Sequence, residues 1–359
     1  GAALLRDSAM CAVKADAYGH GAVECAKAMY AAGANQFAVA TVAEGVELRR
    51  AGISWPILVL CEPPLGAIDT LLAHDLMPSI YTSDFAFSLG ERAVALGKVG
   101  RYHLAIDTGM TRIGVLPDDV VELRHLIDFH RGLECAGTFT HFATADVIGD
   151  WDFKQQSSRF SRAIAALEAA GLDHGLVHCD NTPGTVLHPE LHNDMCRVGI
   201  GLYGLHPSAT TEPRVALRPV MSVRARVTRV IYPAVGEGVG YGLTYRVPTP
   251  NIQIATVPIG YADGLARVLS NHMDVLVNGV RVRQVGRICM DQFMFAVDTS
   301  RRSLGSVKTV APVECGDVVT ILGTDGGQTI SADEMARLRD TINYEVTCDF
   351  GMRLEKVYV

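Results

Sequence analysis

The sequence predicts an α/β chain: a (β/α)8 TIM barrel over residues 1–212, followed by a mostly β C-terminal domain over residues 213–359. Two observations carry this. Short apolar runs alternate with helical patterns eight times in the first part of the chain. Beyond Pro213 the rhythm changes to strand-like alternation around an Asn-Gly hairpin signal. A doubly wound open sheet competes for the first part, because the pattern gives strand number and not closure. The barrel is favoured because residues with reactive side chains stand at the ends of several different strands, as a barrel requires.

In order, the first strand is the buried run Ala9–Lys14, followed by a Gly-rich turn and a helix near 22–32. Phe37–Ala40 leads into Thr41-x-x-Glu44, a capping box that opens a helix over 42–51. Trp55–Cys61 is the third strand, with a helix over Ala67–His74. Met77–Tyr81 is the fourth, before a helix capped by Ser83. Tyr102–Ile106 and Leu133–His141 follow, with helices over 118–130 and 152–170. Leu176–Cys179 precedes a short helical piece after Pro183, and Met195–Tyr203 is the eighth strand. In the second part, Val220–Val230 reads as one strand with a wet face, and Val275–Val282 as a hairpin turning at Asn278-Gly279. Ile254–Pro258, Val318–Leu322 and Lys356–Val359 add strands, and Ser331-x-x-Glu334 opens a helix.

Composition narrows the function classes. With 48% hydrophobic and 20% charged residues, the chain is an ordinary globular protein. A formal charge of −7 without a basic cluster gives no footprint for nucleic acid or an anionic membrane. No apolar run reaches the length of a membrane span, and no charged leader of a signal peptide is visible. The nine cysteines are scattered, odd in number and contain no C-x-x-C pair. That argues against structural zinc and a disulfide framework, so no metal is expected and a cytoplasmic location is the default.

The chemistry concentrates at strand ends. Lys14 closes a buried strand, where a lysine is costly unless it is paired or used. Its useful form is an amine kept partly deprotonated by burial, ready to form a Schiff base with an aldehyde cofactor. The plain alternative is a lysine whose head reaches out to water. Asp107 with Arg112, His141, Asn181 with Thr182, and Arg197 occupy other strand ends. The loops Asn181-Thr182-Pro183-Gly184 and Gly199-Ile200-Gly201 lie where barrels often bind phosphate. A reactive lysine beside a phosphate cradle is the minimal set for pyridoxal 5'-phosphate (PLP).

Seven segments, in order, carry a resemblance to a known family: AVKADAYGHGA (12–22), IDTGMTRIG (106–114), THFATAD (140–146), RVGIGLYG (197–204), VGYGLTY (239–245), IGYADG (259–264) and GRICMDQFM (286–294). The chain resembles the alanine racemases over nearly its whole length, and its start falls short of the family's usual beginning by about a strand and part of a helix. The resemblance implies PLP on Lys14, with that lysine as the base on one face of the amino acid. Tyr241 would be the base on the other face, supplied by the second subunit of a head-to-tail homodimer. Arg197, His141 and Tyr241 would form the line that tunes the tyrosine, and Arg197 would face the pyridine nitrogen. Tyr18, Thr182, Gly199 and Ile200 would hold the phosphate. Arg112 and the Met290 backbone would take the substrate carboxylate, Tyr261 would narrow the entrance, and Asp291 would shape the Met290 loop.

Two positions depart from the family pattern. Ala105 stands where many members carry a carbamylated lysine, so Arg112 needs another anion. Met352 stands where a phosphate-binding tyrosine is expected. Both substitute an apolar side chain for a polar one beside the ligand. The main expectation is interconversion of L- and D-alanine. The alternatives are a pocket relaxed toward serine or larger amino acids, or an inactive PLP-binding relative. Arg197 argues against a decarboxylase, which would place an acidic residue at the pyridine nitrogen.

Overall fold

The computed structural model describes residues 8–147, 149–300, 311–351 and 353–359. The chain divides into two compact units, Gly1–Arg218 and Pro219–Val359. The first is built on eight strands: β1 (Ala9–Ala12), β2 (Gln36–Val39), β3 (Ile57–Val59), β4 (Met77–Ile80), β5 (Gly100–Ala105), β6 (Leu133–Phe139), β7 (Leu176–His178) and β8 (Cys196–Val198). Each pairs in parallel with its neighbour from β1 to β7, and β8 pairs with β1. Between β7 and β8 the ring is completed by Asp194. Its N–H donates to the Val177 carbonyl at 3.1 Å, and its carboxylate accepts the Val177 N–H at 2.8 Å.

The strands are short and mostly apolar and buried, as strands covered on both faces must be, with Glu134 and Leu176 exposed where β6 and β7 begin. Met10, Ala38, Leu58, Met77, Ala105, Phe139 and Met195 form one apolar layer inside the ring, with one residue from each of six strands and Met195 just ahead of β8. The capping box is present: Thr41 Oγ1 accepts the Glu44 N–H at 3.2 Å, and the Glu44 carboxylate accepts the Thr41 N–H at 3.0 Å. Helix Trp151–Ala169 is capped by Asp150 and buries Phe153, Gln156, Phe160, Ala163 and Leu167. That spacing is the helical stripe.

Two sequence expectations in this unit are corrected. Helix Ser83–Ala95 is capped by Thr82, whose hydroxyl accepts the Phe85 N–H, because Ser83 already has helical geometry. The eighth strand stops at Val198, and Ile200–Tyr203 is a 3-10 turn closed by Gly204 at φ 78°.

The second unit is an antiparallel sheet. Its order is Arg229–Ile231, Ile252–Val257, Phe293–Asp298, Val280–Val285, Asp274–Val277, Val318–Asp325, Gln328–Ile330. The expected single strand Val220–Val230 is two. Val223–Arg226 pairs with Val318–Asp325, and Arg229–Ile231 pairs with Ile252–Val257. The chain changes partner at Val227, which is buried and donates its N–H to the Asp317 carbonyl. Periodicity cannot show such a switch, since both halves keep the same alternation.

The Asn278-Gly279 turn forms as expected, with φ 51° and 74° at the two residues, the signature of a two-residue hairpin loop. Gly279 is also needed for space, because a Cβ there would meet Gly326 Cα at 2.9 Å. Ser331 caps helix Ala332–Arg339, accepting the Glu334 N–H at 3.0 Å. No strand forms at Lys356–Val359. The helix Asn343–Asp349 had no expectation attached to it. Among the described residues, no helix is long and apolar enough to cross a membrane.

Candidate active site

Lys14 stands two residues beyond β1, and the turn that follows it is left-handed. Ala15, Asp16, Ala17 and Tyr18 have φ of 52°, 51°, 55° and 54°. Left-handed backbone costs L-residues about 1–2 kcal/mol each, so such a run persists only where its surroundings hold it. The Ala17 N–H donates to Val13 O at 2.9 Å, Gly19 N–H to Ala15 O at 3.0 Å, and Gly21 N–H to Asp16 O at 2.8 Å. The Asp16 carboxylate accepts the Ala22 N–H at 2.8 Å, tying the turn to the next helix.

Lys14, Asp107, Arg112 and His141 line one cavity of about 290 Å³ at the carboxyl ends of the barrel strands. Ala40, Leu60, Ala105 and Phe139 supply its apolar wall. Asp107 acts on its own loop: its Oδ1 accepts the N–H groups of Gly109 and Thr111, both at 3.0 Å. The far end of that loop is fixed by Val115, which bonds both Ala105 and Asp107 through the backbone at 2.9 Å. Arg112 is thereby carried on a braced loop and is itself exposed. Ala105 is 2% exposed and belongs to the apolar layer, so its methyl completes the wall.

Arg197 is the electrostatic centre. It is 4% exposed, and its guanidinium donates to His178 Nδ1 at 2.8 Å, His141 Nδ1 at 2.9 Å and the Thr140 carbonyl at 2.9 Å. Its guanidinium carbon lies 5.2 Å from the centre of the Phe139 ring. Guanidinium has no acceptor, so both imidazoles must present a lone pair at Nδ1 and carry their proton on Nε2. His178 then donates from Nε2 to His103 Nδ1 across 2.8 Å. Burial first, and then the Arg197 charge, hold His141 well below the ordinary imidazole range. Burial, His103 and Arg197 do the same for His178. Burial alone is the leading cause that lowers Arg197 to about 10. Neutral imidazoles and a charged guanidinium are thus mutually consistent.

The sequence reading passed over His103, His178 and Gln156. Gln156 is 3% exposed and reaches from helix Trp151–Ala169 to donate to the His141 carbonyl at 3.1 Å. His178 was hidden in an apolar run, and only its place at the end of β7 could have marked it.

The phosphate-side residues also converge. Thr182 Oγ1 accepts the Gly199 N–H at 3.0 Å and the Gly201 N–H at 3.4 Å, so the Gly199 donor is directed at a side chain of this loop pair. A Cβ on Gly199 would lie 2.6 Å from the Tyr18 hydroxyl, so glycine leaves the space in which that hydroxyl sits. The Tyr18 ring lies 5.0 Å from that of Tyr203, whose hydroxyl donates to the Ala12 carbonyl at 2.7 Å. Asn181 is engaged at both ends of its amide: it donates to Phe142 O at 3.0 Å and accepts the Gly184 N–H at 3.0 Å. It braces the loop. Ile200 is fully buried.

The second unit carries the remaining candidates. Tyr241 is 70% exposed at the head of a turn flanked by Gly240 and Gly242 at φ 70° and 72°. It lines a groove with Met290 and Asp291. Tyr261 and Met290 sit on segments zipped together, Tyr261 N–H to Cys289 O and Ala262 N–H to Met290 O, each 3.0 Å. Gly260 makes this crossing possible, since a Cβ there would be 2.3 Å from both carbonyl oxygens. Asp291 accepts from Arg353 at 2.7 Å, and Arg353 also pairs with Asp263 at 3.3 Å. Met352 lies outside the described residues.

Comparison with known proteins places this geometry. Residues 2–207 match the family model described as alanine racemase, N-terminal domain, and residues 220–358 match alanine racemase, C-terminal domain. The chain is 42% identical over 352 residues to an alanine racemase of Carboxydothermus hydrogenoformans, covering 98% of this chain and 92% of that one. It is similar to the crystal structure of alanine racemase from E. faecalis, with 38% identity, a TM-score of 0.87 and coverage of 96% and 89%. It is also similar to a histidine racemase from Leuconostoc mesenteroides, with 28% identity, a TM-score of 0.88 and coverage of 99% and 93%.

Proposed function

Because this chain belongs to the alanine racemase family and is an amino-acid racemase, we propose that it interconverts L- and D-alanine with PLP. The α-proton moves between two bases, Lys14 on one face and the partner subunit's Tyr241 on the other. The residues present suit the cofactor. There is a lysine amine at a cavity, a hydroxyl pair in Tyr18 and Thr182, and a glycine at 199 that leaves room for the Tyr18 hydroxyl. PLP, when bound, supplies the electron sink that acidifies the α-carbon of an amino acid.

Everything else is done by the chain. Lys14 takes or returns the proton on its own face. Arg197 would be the residue facing the cofactor ring nitrogen; a guanidinium has no acceptor, so a ring held there would stay neutral and its pull on electrons would be limited. That favours return of the proton over loss of carbon dioxide. His141, held with its proton on Nε2 by the Arg197 bond, would offer that N–H to the phenol of the partner subunit's Tyr241. A phenol ordinarily titrates near about 10, and such a donor stabilises its ionised form. Arg112, with the Met290 backbone, takes the substrate carboxylate, and Tyr261 narrows the approach. Tyr241 is exposed on this chain, which suits a residue that works in a second copy. A homodimer with shared sites follows from that reading.

The observation that carries the reading is the Arg197 guanidinium bonded to two neutral imidazoles. The test is proton NMR in D2O on PLP-loaded protein with L-alanine and L-serine, followed by chiral analysis. Loss of the α-proton signal with appearance of the D-enantiomer supports it. No exchange with any amino acid, while borohydride still traps the cofactor on Lys14, would overturn it and leave a PLP-binding relative.

A second reading, a wider substrate range, rests on Ala105 in the cavity wall. Apolar pockets discriminate by only about 1–3 kcal/mol per methylene, so this wall can admit serine or a larger side chain. The relative rates in the same NMR experiment decide it.

A further inference from the structure

We propose that Glu44 is a positioning residue for Lys14, fixing the lysine-bearing turn to the end of the neighbouring strand β2. The proposal rests on the reading of Lys14 as the reactive amine. A capping-box glutamate ordinarily serves its own helix, returning one oxygen to the N-cap N–H. Here the carboxylate does more. Oε2 accepts the N–H groups of Ala40 at 2.7 Å and Thr41 at 3.0 Å, and Oε1 accepts the Ala15 N–H at 2.7 Å. Ala40 follows β2 directly, and Ala15 follows Lys14. One carboxylate therefore bridges two strand ends at the barrel mouth with three charge-assisted bonds.

The position of that third bond matters. Ala15 is the first of the four left-handed residues, and its peptide is the one that leaves Lys14. The turn's internal bonds begin with the Ala17 and Gly19 N–H groups, so they do not hold this peptide by its donor. Glu44 does. Releasing it lets the lysine Cα and amine drift while the rest of the turn stays closed by Asp16 and Gly21. A misplacement of about 1 Å at a reacting group can lower a rate about 10²-fold.

The experiment separates this role from ordinary helix capping. Thr41→Ala removes the hydroxyl that caps the helix and leaves every Glu44 carboxylate bond possible. Glu44→Gln replaces one acceptor oxygen by an NH2 group that cannot face a backbone N–H. Two readouts are taken: amide hydrogen exchange of residues 12–21 in the cofactor-free protein, and kcat of the PLP-loaded enzyme. The expected result is that Thr41→Ala lowers the melting temperature but keeps Ala15 protected and kcat within about twofold, whereas Glu44→Gln exposes Ala15 and lowers kcat about 10²-fold with KM little changed. Glu44→Asp, too short to span both strand ends, gives the same separation where Glu44→Gln does not fold. Equal protection and equal kcat in the Thr41 and Glu44 variants would overturn the proposal. If the wild-type protein exchanges no α-proton, the racemase reading fails by itself, and unchanged Ala15 protection in the Glu44 variants still overturns the clamp.

Discussion

The Arg197 guanidinium donates to His141 Nδ1 at 2.9 Å, which fixes the histidine as its Nε2–H tautomer. Lysine at 197 has one ammonium and cannot reach two imidazoles and a carbonyl in one plane. Arg197→Lys is therefore expected to lower kcat by about 10²-fold or more, the scale of losing an oriented acid–base group. Steady-state racemisation kinetics check this, with circular dichroism as the control for folding.

Lys14→Ala removes both the attachment point and one base. The expected outcome is no measurable racemisation and no covalent cofactor adduct after borohydride reduction, read by mass spectrometry of the peptide spanning residues 12–21. Racemisation that survives this change would remove Lys14 from its role.

Gly199 is tested by adding one methyl group. A Cβ there would stand 2.6 Å from the Tyr18 hydroxyl, so Gly199→Ala must push that hydroxyl aside. Weaker PLP binding is expected, by about tenfold, near 1.4 kcal/mol. Adding Tyr18→Phe removes the atom that clashes, so the double variant is expected to lose less than the two single losses summed. Equilibrium titration of cofactor-free protein measures all three.

Asp180 gives a pH signature in stability. It is fully buried beyond β7, within 3.8–3.9 Å of Cys196 and His192, and burial raises its carboxyl to about 7 against the nearby His192. The folded chain then holds a proton that the unfolded chain releases near 3.8. That contribution to stability is complete below about pH 4 and is lost as pH rises through about 7. Asp180→Asn is expected to flatten the fall between those limits, measured as the difference in urea midpoint between variant and wild type across pH.

Much of the fold was legible because the barrel strands are short apolar runs broken by turn residues, a pattern set by burial on both faces. What was hidden had local causes. Nothing in Ala15-Asp16-Ala17-Tyr18 announces a left-handed turn, which is closed by local backbone bonds and tied to the rest of the barrel by the Glu44 carboxylate. Thr82 and Ser83 are both good caps, and the choice between them depends on where the helix geometry starts. The partner switch at Val227 keeps the same alternation on both sides.

In the site, Lys14, His141 and Arg197 stand out as polar residue types at the ends of apolar runs, whereas Arg112 is marked by the loop segment 106–114. His103 and His178 do not stand out, because a histidine facing the barrel interior looks like any other buried position. Glu44 was recognised only as half of a helix cap, and its bond to Ala15 spans a separation that no local motif encodes.

The two-base reading is tested most directly by mixing two inactive proteins, Lys14→Ala and Tyr241→Phe, under conditions that allow subunits to exchange. Each mixed dimer would hold one site with both bases intact and one with neither. The expected result is recovery of racemisation to about a quarter of the wild-type activity per subunit at random mixing. No recovery, with subunit exchange demonstrated by mass, would contradict a shared site and place Tyr241 with the Lys14 of its own chain; activity retained by Tyr241→Phe alone would place Tyr241 outside the reaction.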